Sequence, residues 1–157
     1  MQSDNDSTVE TIETVERRAQ SHNEIAHLVA SRKDTLALYS DLASRQPFKP
    51  EHNTQLLLQS FCESLIDYTA TAHFQLYRHI DEDKERRGPV LRIADEIYPN
   101  IAESTQSFLE FNDKYDCGDH CNHLESLATD LSALGERLAD RIEYEDKLIA
   151  VLVSPRG

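Results

Sequence analysis

The chain has 157 residues, of which 39% are hydrophobic and 29% charged. That is one domain's length, enough to bury a core without disulfide or metal staples. Four glycines and five prolines are too few for a sandwich, a barrel or a doubly wound sheet, which need frequent turn signals. Sixteen basic against twenty-nine acidic side chains leave a formal charge of −13, which repels nucleic-acid phosphates and anionic membranes and favours a basic protein partner.

Residues 1–6 are expected to be disordered, and Ser7-Thr8-Val9-Glu10 reads as a capping box. Ile12, Val15, Ala19, Ala26, Val29, Leu36, Tyr39 and Ala43 then step by three, four or seven. This spacing predicts a helix over 9–43, with a weak point near Gln20–Asn23 and a stop at Pro47 and Pro50. A second helix is predicted over 54–80, with Leu58, Phe61, Leu65, Tyr68, Ala72 and Leu76 as its buried stripe. The charged run Asp81–Arg87 reads as a solvated loop. A short helix Val90–Tyr98 follows, and Pro99 suits the first turn of another that carries Ile101, Thr105, Phe108 and Leu109. After a loop at Asp116–Asn122, a last helix over 122–152 is marked by Leu124, Leu127, Leu131, Leu134, Leu138, Glu145 and Leu148. The expected architecture is a single all-α domain over 1–157, an antiparallel helix bundle of three long helices plus short helices. No strict heptad runs through it.

Chemistry-bearing clusters are sparse. Cys117-Gly-Asp-His120-Cys121-Asn-His123 offers two thiols and two imidazoles, but zinc fingers separate their ligand pairs more widely. A polar interhelix loop is the preferred reading. A metal-binding or catalytic helical bundle that uses this loop is the competing one. A di-iron bundle needs two Glu-x-x-His motifs, and only Glu24-Ile-Ala-His27 fits. There is no nucleophile elbow, and four scattered glycines cannot cradle a phosphate. No catalytic residue, metal or cofactor is therefore expected. Three cysteines, an odd number, and a polar, acidic N-terminus suggest free thiols in a reducing cytoplasm. No apolar run approaches a membrane span.

The second helix is the informative one. At about 100° per residue, Asp67, Thr71, Phe74 and Arg78 lie opposite the buried stripe, while His73 and Tyr77 flank it. A large aromatic between a carboxylate and a guanidinium is either covered by another helix or anchors a partner protein. His73 and Tyr77 are expected to make satisfied polar contacts in the interior.

Within this helix, Phe61-Cys62-Glu-Ser-Leu65-Ile-Asp67-Tyr68-Thr-Ala-Thr-Ala-His73-Phe74-Gln-Leu-Tyr77 resembles the signature segment of the Rsd/AlgQ family, regulators of sigma D. Further matching positions are Arg32-Lys33, Ile97-Tyr98-Pro99, Thr105-Gln106, Gly135-Glu136, Leu138, Arg141 and Glu145–Ile149. Phe111-Asn112-Asp113 and the Cys117–Cys121 loop look more like the AlgQ branch. Leu28 stands where members often carry Trp, and Thr69-Ala70-Thr71-Ala72 replaces a commoner Leu-or-Val-Ser-Ala-Gly run. The resemblance implies an anti-sigma factor. Such a protein binds the C-terminal, −35-reading region of the primary sigma factor and redirects RNA polymerase towards alternative sigma factors. It implies a partner surface of Asp67, Thr71, Phe74, Arg78, Leu28 and Arg32, and a polar interior of His73, Tyr77 and Glu145. A monomer or weak homodimer is expected, without direct nucleic-acid or membrane contact. Charge agrees: residues 1–50 hold eight acids and six bases, residues 51–157 twenty-one acids and ten bases.

Overall fold

The computed structural model describes residues 3–77, 88–115 and 124–153; up to residue 21 the description is chiefly of the backbone. Four α-helices account for nearly all of it: α1 (Ser3–Ala43), α2 (His52–Ala72), α3 (Gly88–Tyr115) and α4 (Leu124–Val153). A π-helical turn, His73–Tyr77, prolongs α2. No strand occurs among the described residues, and no described helix is long and apolar enough to cross a membrane.

Side-chain pairings fix the topology. His27 and Thr35 of α1 meet Gln75 and Ser64, so position falls along one helix as it rises along the other. Phe61 and Tyr77 meet Phe111 and Tyr98 of α3. Glu103 and Tyr115 meet Arg137 and Ser126 of α4. Arg32 and Tyr39 return to Asp146 and Leu131. Each neighbour is antiparallel, so the molecule is an up-down-up-down four-helix bundle.

The sequence stripes of α2 and α4 are the observed core: Leu58, Phe61, Leu65, Tyr68, Ala72 and Leu76 pack with Leu127, Leu131, Leu134, Leu138 and Leu148. Burying a Leu or Phe side chain contributes about 1.5–3 kcal/mol. In α1 the stripe differs from the apolar count. Among its described side chains the fully buried positions are Leu28, Thr35 and Leu42, seven residues apart, whereas Ala26 and Val29 are exposed. The central buried position is polar, and its hydroxyl is satisfied by the Ser31 and Ser64 carbonyls (3.1 and 3.2 Å) and the Ser64 hydroxyl (2.8 Å).

Three boundaries depart from expectation. α1 starts at Ser3 and runs without a break through Gln20–Asn23, so the sequence around Ser7 lies inside it rather than at its cap. α2 begins at His52 and leaves α-helical geometry after Ala72. The expected short helices on either side of Pro99 are one helix, α3. Proline removes the N–H that would bond to the Asp95 carbonyl. Asp95 and Pro99 are both exposed, so the interrupted bond lies on the solvent-facing side of α3. Buried Ala94, Ile97 and Ile101 bracket the proline and hold both halves in line.

Candidate functional site: a groove between α1 and α2

The π turn decides what the end of α2 buries and what it shows. In an unbroken α-helix, Tyr68 and Tyr77 would be about 900° apart, on opposite faces. The wider i→i+5 turn rotates each residue by less, which brings Leu76 and Tyr77 into the core while His73 and Phe74 stay outside. Phe74 is 60% exposed, and the His73 ring meets it edge-on with centroids 5.1 Å apart.

Phe74 borders a shallow groove of about 500 Å³ between the two helices. Asp67, Ala70, Thr71, Phe74 and Gln75 line one wall, and His27, Ala30, Ser31 and Asp34 the other. The α1 residues fall at i, i+3, i+4 and i+7, the polar face of a helix whose other face is core. Two carboxylates and an aromatic ring share this open concavity. The Gln75 amide and His27 Nδ1 are hydrogen-bonded at 2.8 Å across it.

A buried polar cluster lies behind the groove. Glu145 is wholly buried and Arg141 is 1% exposed. The Glu145 carboxylate accepts hydrogen bonds from the Tyr68 hydroxyl, from the Tyr77 hydroxyl (2.9 Å) and from Arg141 Nε (3.3 Å). Arg141 also donates to Thr105 (2.7 Å) and Ser104 (3.3 Å). Its guanidinium sits 5.2–5.7 Å from the ring centroids of Phe108, Tyr68 and Tyr77. Losing one partner of such a pair costs about 3–5 kcal/mol, because a charge is left buried and unpaired. Burial, then the charge of Glu145, pushes both tyrosine hydroxyls well above the usual range.

The residues expected at the partner surface divide. Asp67, Thr71 and Phe74 come together in the groove as their spacing implied. Leu28 does not join them. It is fully buried, because the face of α1 that carries it also carries Thr35 and Leu42. Arg32 turns inward as well: its side chain is 13% exposed, 2.9 Å from Asp146 and 3.6 Å from Glu145. Of the expected polar interior, Tyr77 and Glu145 are buried and bonded to each other, but His73 is on the surface, at the outward start of the π turn. Arg78 and the Cys117–His123 loop lie outside the described residues. Among the described residues, no three His, Cys, Asp or Glu side chains gather as a metal site.

Sequence reasoning missed His27, Ala30, Ser31 and Asp34. A search for a polar stripe in α1, rather than an apolar one, finds them. It also passed over Tyr68 as a second donor to Glu145, since a tyrosine on the core stripe counts simply as apolar.

Residues 8–153 match the family described as "Regulator of RNA polymerase sigma(70) subunit, Rsd/AlgQ". The chain is similar to a protein named "Regulator of sigma D" from Enterobacter sp. (strain 638), 34% identical over 140 residues, covering 87% of this chain and 84% of that protein. A protein of the same name from Yersinia enterocolitica is 30% identical over 146 residues, covering 88% of this chain and 86% of its own length. Another, from Escherichia coli O139:H28, is 34% identical over 126 residues, covering 78% of each chain. No solved structure matches the chain.

Proposed function

We propose that this chain, which belongs to the Rsd/AlgQ family of regulators of the RNA polymerase sigma(70) subunit, is an anti-sigma factor whose docking surface is the groove between α1 and α2. It acts in the cytoplasm by binding rather than catalysis. Its target is the C-terminal, −35-reading region of the primary sigma factor. Occupying that region keeps sigma from promoter DNA and leaves core polymerase to alternative sigma factors.

One observation carries the placement: a large aromatic, Phe74, stands 60% exposed at the edge of a concavity that it shares with Asp67. An aromatic anchor among polar groups is the usual form of an interface hot spot. Asp67 and Asp34 give the groove the sign that a basic, DNA-reading surface would meet.

Phe74→Ala tests the placement. Truncating an anchor costs about 2 kcal/mol or more, roughly thirtyfold in affinity. An exposed ring contributes little to folding, so the thermal midpoint is expected to stay within a few degrees of the parent. Asp67→Asn keeps the shape and removes the charge, and it too is expected to weaken binding. Full affinity for purified sigma in both variants would move the docking surface elsewhere.

A further inference from the structure

Glu145 is buried on α4, away from the groove, yet it bonds to the turn that carries the groove's aromatic. Tyr77, the last residue of the π turn, donates to Glu145 Oε2 at 2.9 Å. Two further ties hold the same turn: Gln75 to His27 of α1 at 2.8 Å, and Tyr98 of α3 to the Tyr77 carbonyl at 3.4 Å. The Tyr77 ring also packs edge-on against Tyr98, with centroids 6.0 Å apart. Each of the other three helices thus makes a hydrogen bond to the five residues that carry Phe74. Of the three, only the tie to Glu145 is fully buried and ends on a charge.

We infer that Tyr77 is a positioning residue for the docking surface, acting through its bond to buried Glu145 to keep the π turn closed with Phe74 and Gln75 at the groove. A turn of i→i+5 geometry is uncommon and persists where its surroundings over-determine it. Without the tie, Tyr77 is held inward only by the packing of its ring against Tyr98 and Arg141, and the π turn opens more often. A partner that needs Phe74 in place must then close the turn at its own expense, and its apparent affinity falls by the closed fraction. The inference rests on the proposed docking surface for its effect on sigma, but not for its effect on the turn.

Tyr68→Phe is the matched control. Tyr68 donates to the other Glu145 oxygen from within α-helical α2, five residues before the turn begins at His73. Amide hydrogen exchange of the free protein reads the turn directly. In Tyr77→Phe, residues 73–77 are expected to exchange at least tenfold faster than in the parent, which is the loss of about one charge-assisted hydrogen bond. In Tyr68→Phe they are expected to exchange as in the parent, once both are corrected for global stability. Sigma affinity is the second readout. Tyr77→Phe is expected to bind about tenfold more weakly, whereas Tyr77→Phe added to Phe74→Ala costs almost nothing more, because the tie acts through the ring. Equal exchange of the turn in the two Phe variants overturns the inference, and so does a Tyr77→Phe loss that adds in full to that of Phe74→Ala. If the parent does not bind sigma, the proposed function fails, while the exchange comparison still decides the role of Tyr77.

Discussion

Tyr68 and Tyr77 are the residues whose chemistry the interior alters most. Each hydroxyl is buried, each donates to the same carboxylate, and each is pushed above the ordinary tyrosine value of 10.0. The consequence for stability has a definite sign. Above about pH 10 the unfolded chain gives up these protons and the folded chain keeps them. The folded state then holds more protons, so stability falls as pH rises, by up to about 1.4 kcal/mol per pH unit for each such tyrosine. Below about pH 9 this contribution is fully present and flat. Urea unfolding between pH 9 and about 11.5 checks it. Tyr68→Phe is expected to be less stable than the parent at pH 8, having lost a donor to a buried charge. Its alkaline decline is expected to be shallower by about one proton's worth. Equal slopes would mean that the Tyr68 hydroxyl titrates in the fold as it does in the unfolded chain.

At the scale of elements, helical period was legible wherever burial was apolar and geometry stayed α-helical. That covers the stripes of α2 and α4 and the outward placement of Asp67, Thr71 and Phe74. It failed where either condition lapsed. Thr35 hides the core face of α1 from an apolar count, which puts exposed Val29 on the stripe and leaves buried Leu28 off it. Pro99 reads as a boundary because a single sequence does not reveal that the proline sits on an exposed face of one continuous helix. The π turn changes the rotation per residue, so a fixed 100° put His73 and Tyr77 on equal footing, although one is exposed and the other buried.

Contact between elements has its own signature at Gly135 of α4. A Cβ there would stand 2.2 Å from the Tyr39 hydroxyl oxygen and 2.8 Å from the ring carbon bearing it. The ring is not free to swing aside, because the hydroxyl donates to the Leu131 carbonyl at 2.9 Å and the ring packs on Phe61. In an open helix, Gly→Ala stabilises by about 1 kcal/mol. Here overpacking of about 1–3 kcal/mol opposes it, and Gly135→Ala is expected to lower stability. In a Tyr39→Ala background the obstacle is gone, and the same change is expected to stabilise. The reversal of sign in a double-mutant cycle of unfolding free energies is the check. A Gly135→Ala that stabilises the parent would show that the two helices separate at little cost.

For the whole molecule the governing quantity is charge. Among the described residues two carboxylates line the groove, but the chain's formal charge is −13, carried mostly beyond residue 50. A field of that size reaches past the groove and steers a basic partner before contact. It is screened within about 8 Å at physiological salt and reaches about 30 Å at 0.01 M. Association with the isolated C-terminal region of sigma is therefore expected to accelerate by about tenfold or more from high to low ionic strength, mainly through the on-rate. With the proposed docking surface, dissociation is expected to depend on the short-range contacts of Phe74 and the groove and to change far less. The two scales separate in one set of stopped-flow measurements. Phe74→Ala is expected to raise the off-rate and leave the salt dependence of the on-rate as in the parent. Glu136→Gln with Glu143→Gln, both exposed on α4 and outside the groove lining, is expected to weaken that dependence and leave the off-rate alone. An on-rate equal at low and high salt would remove long-range steering and leave recognition to the groove itself.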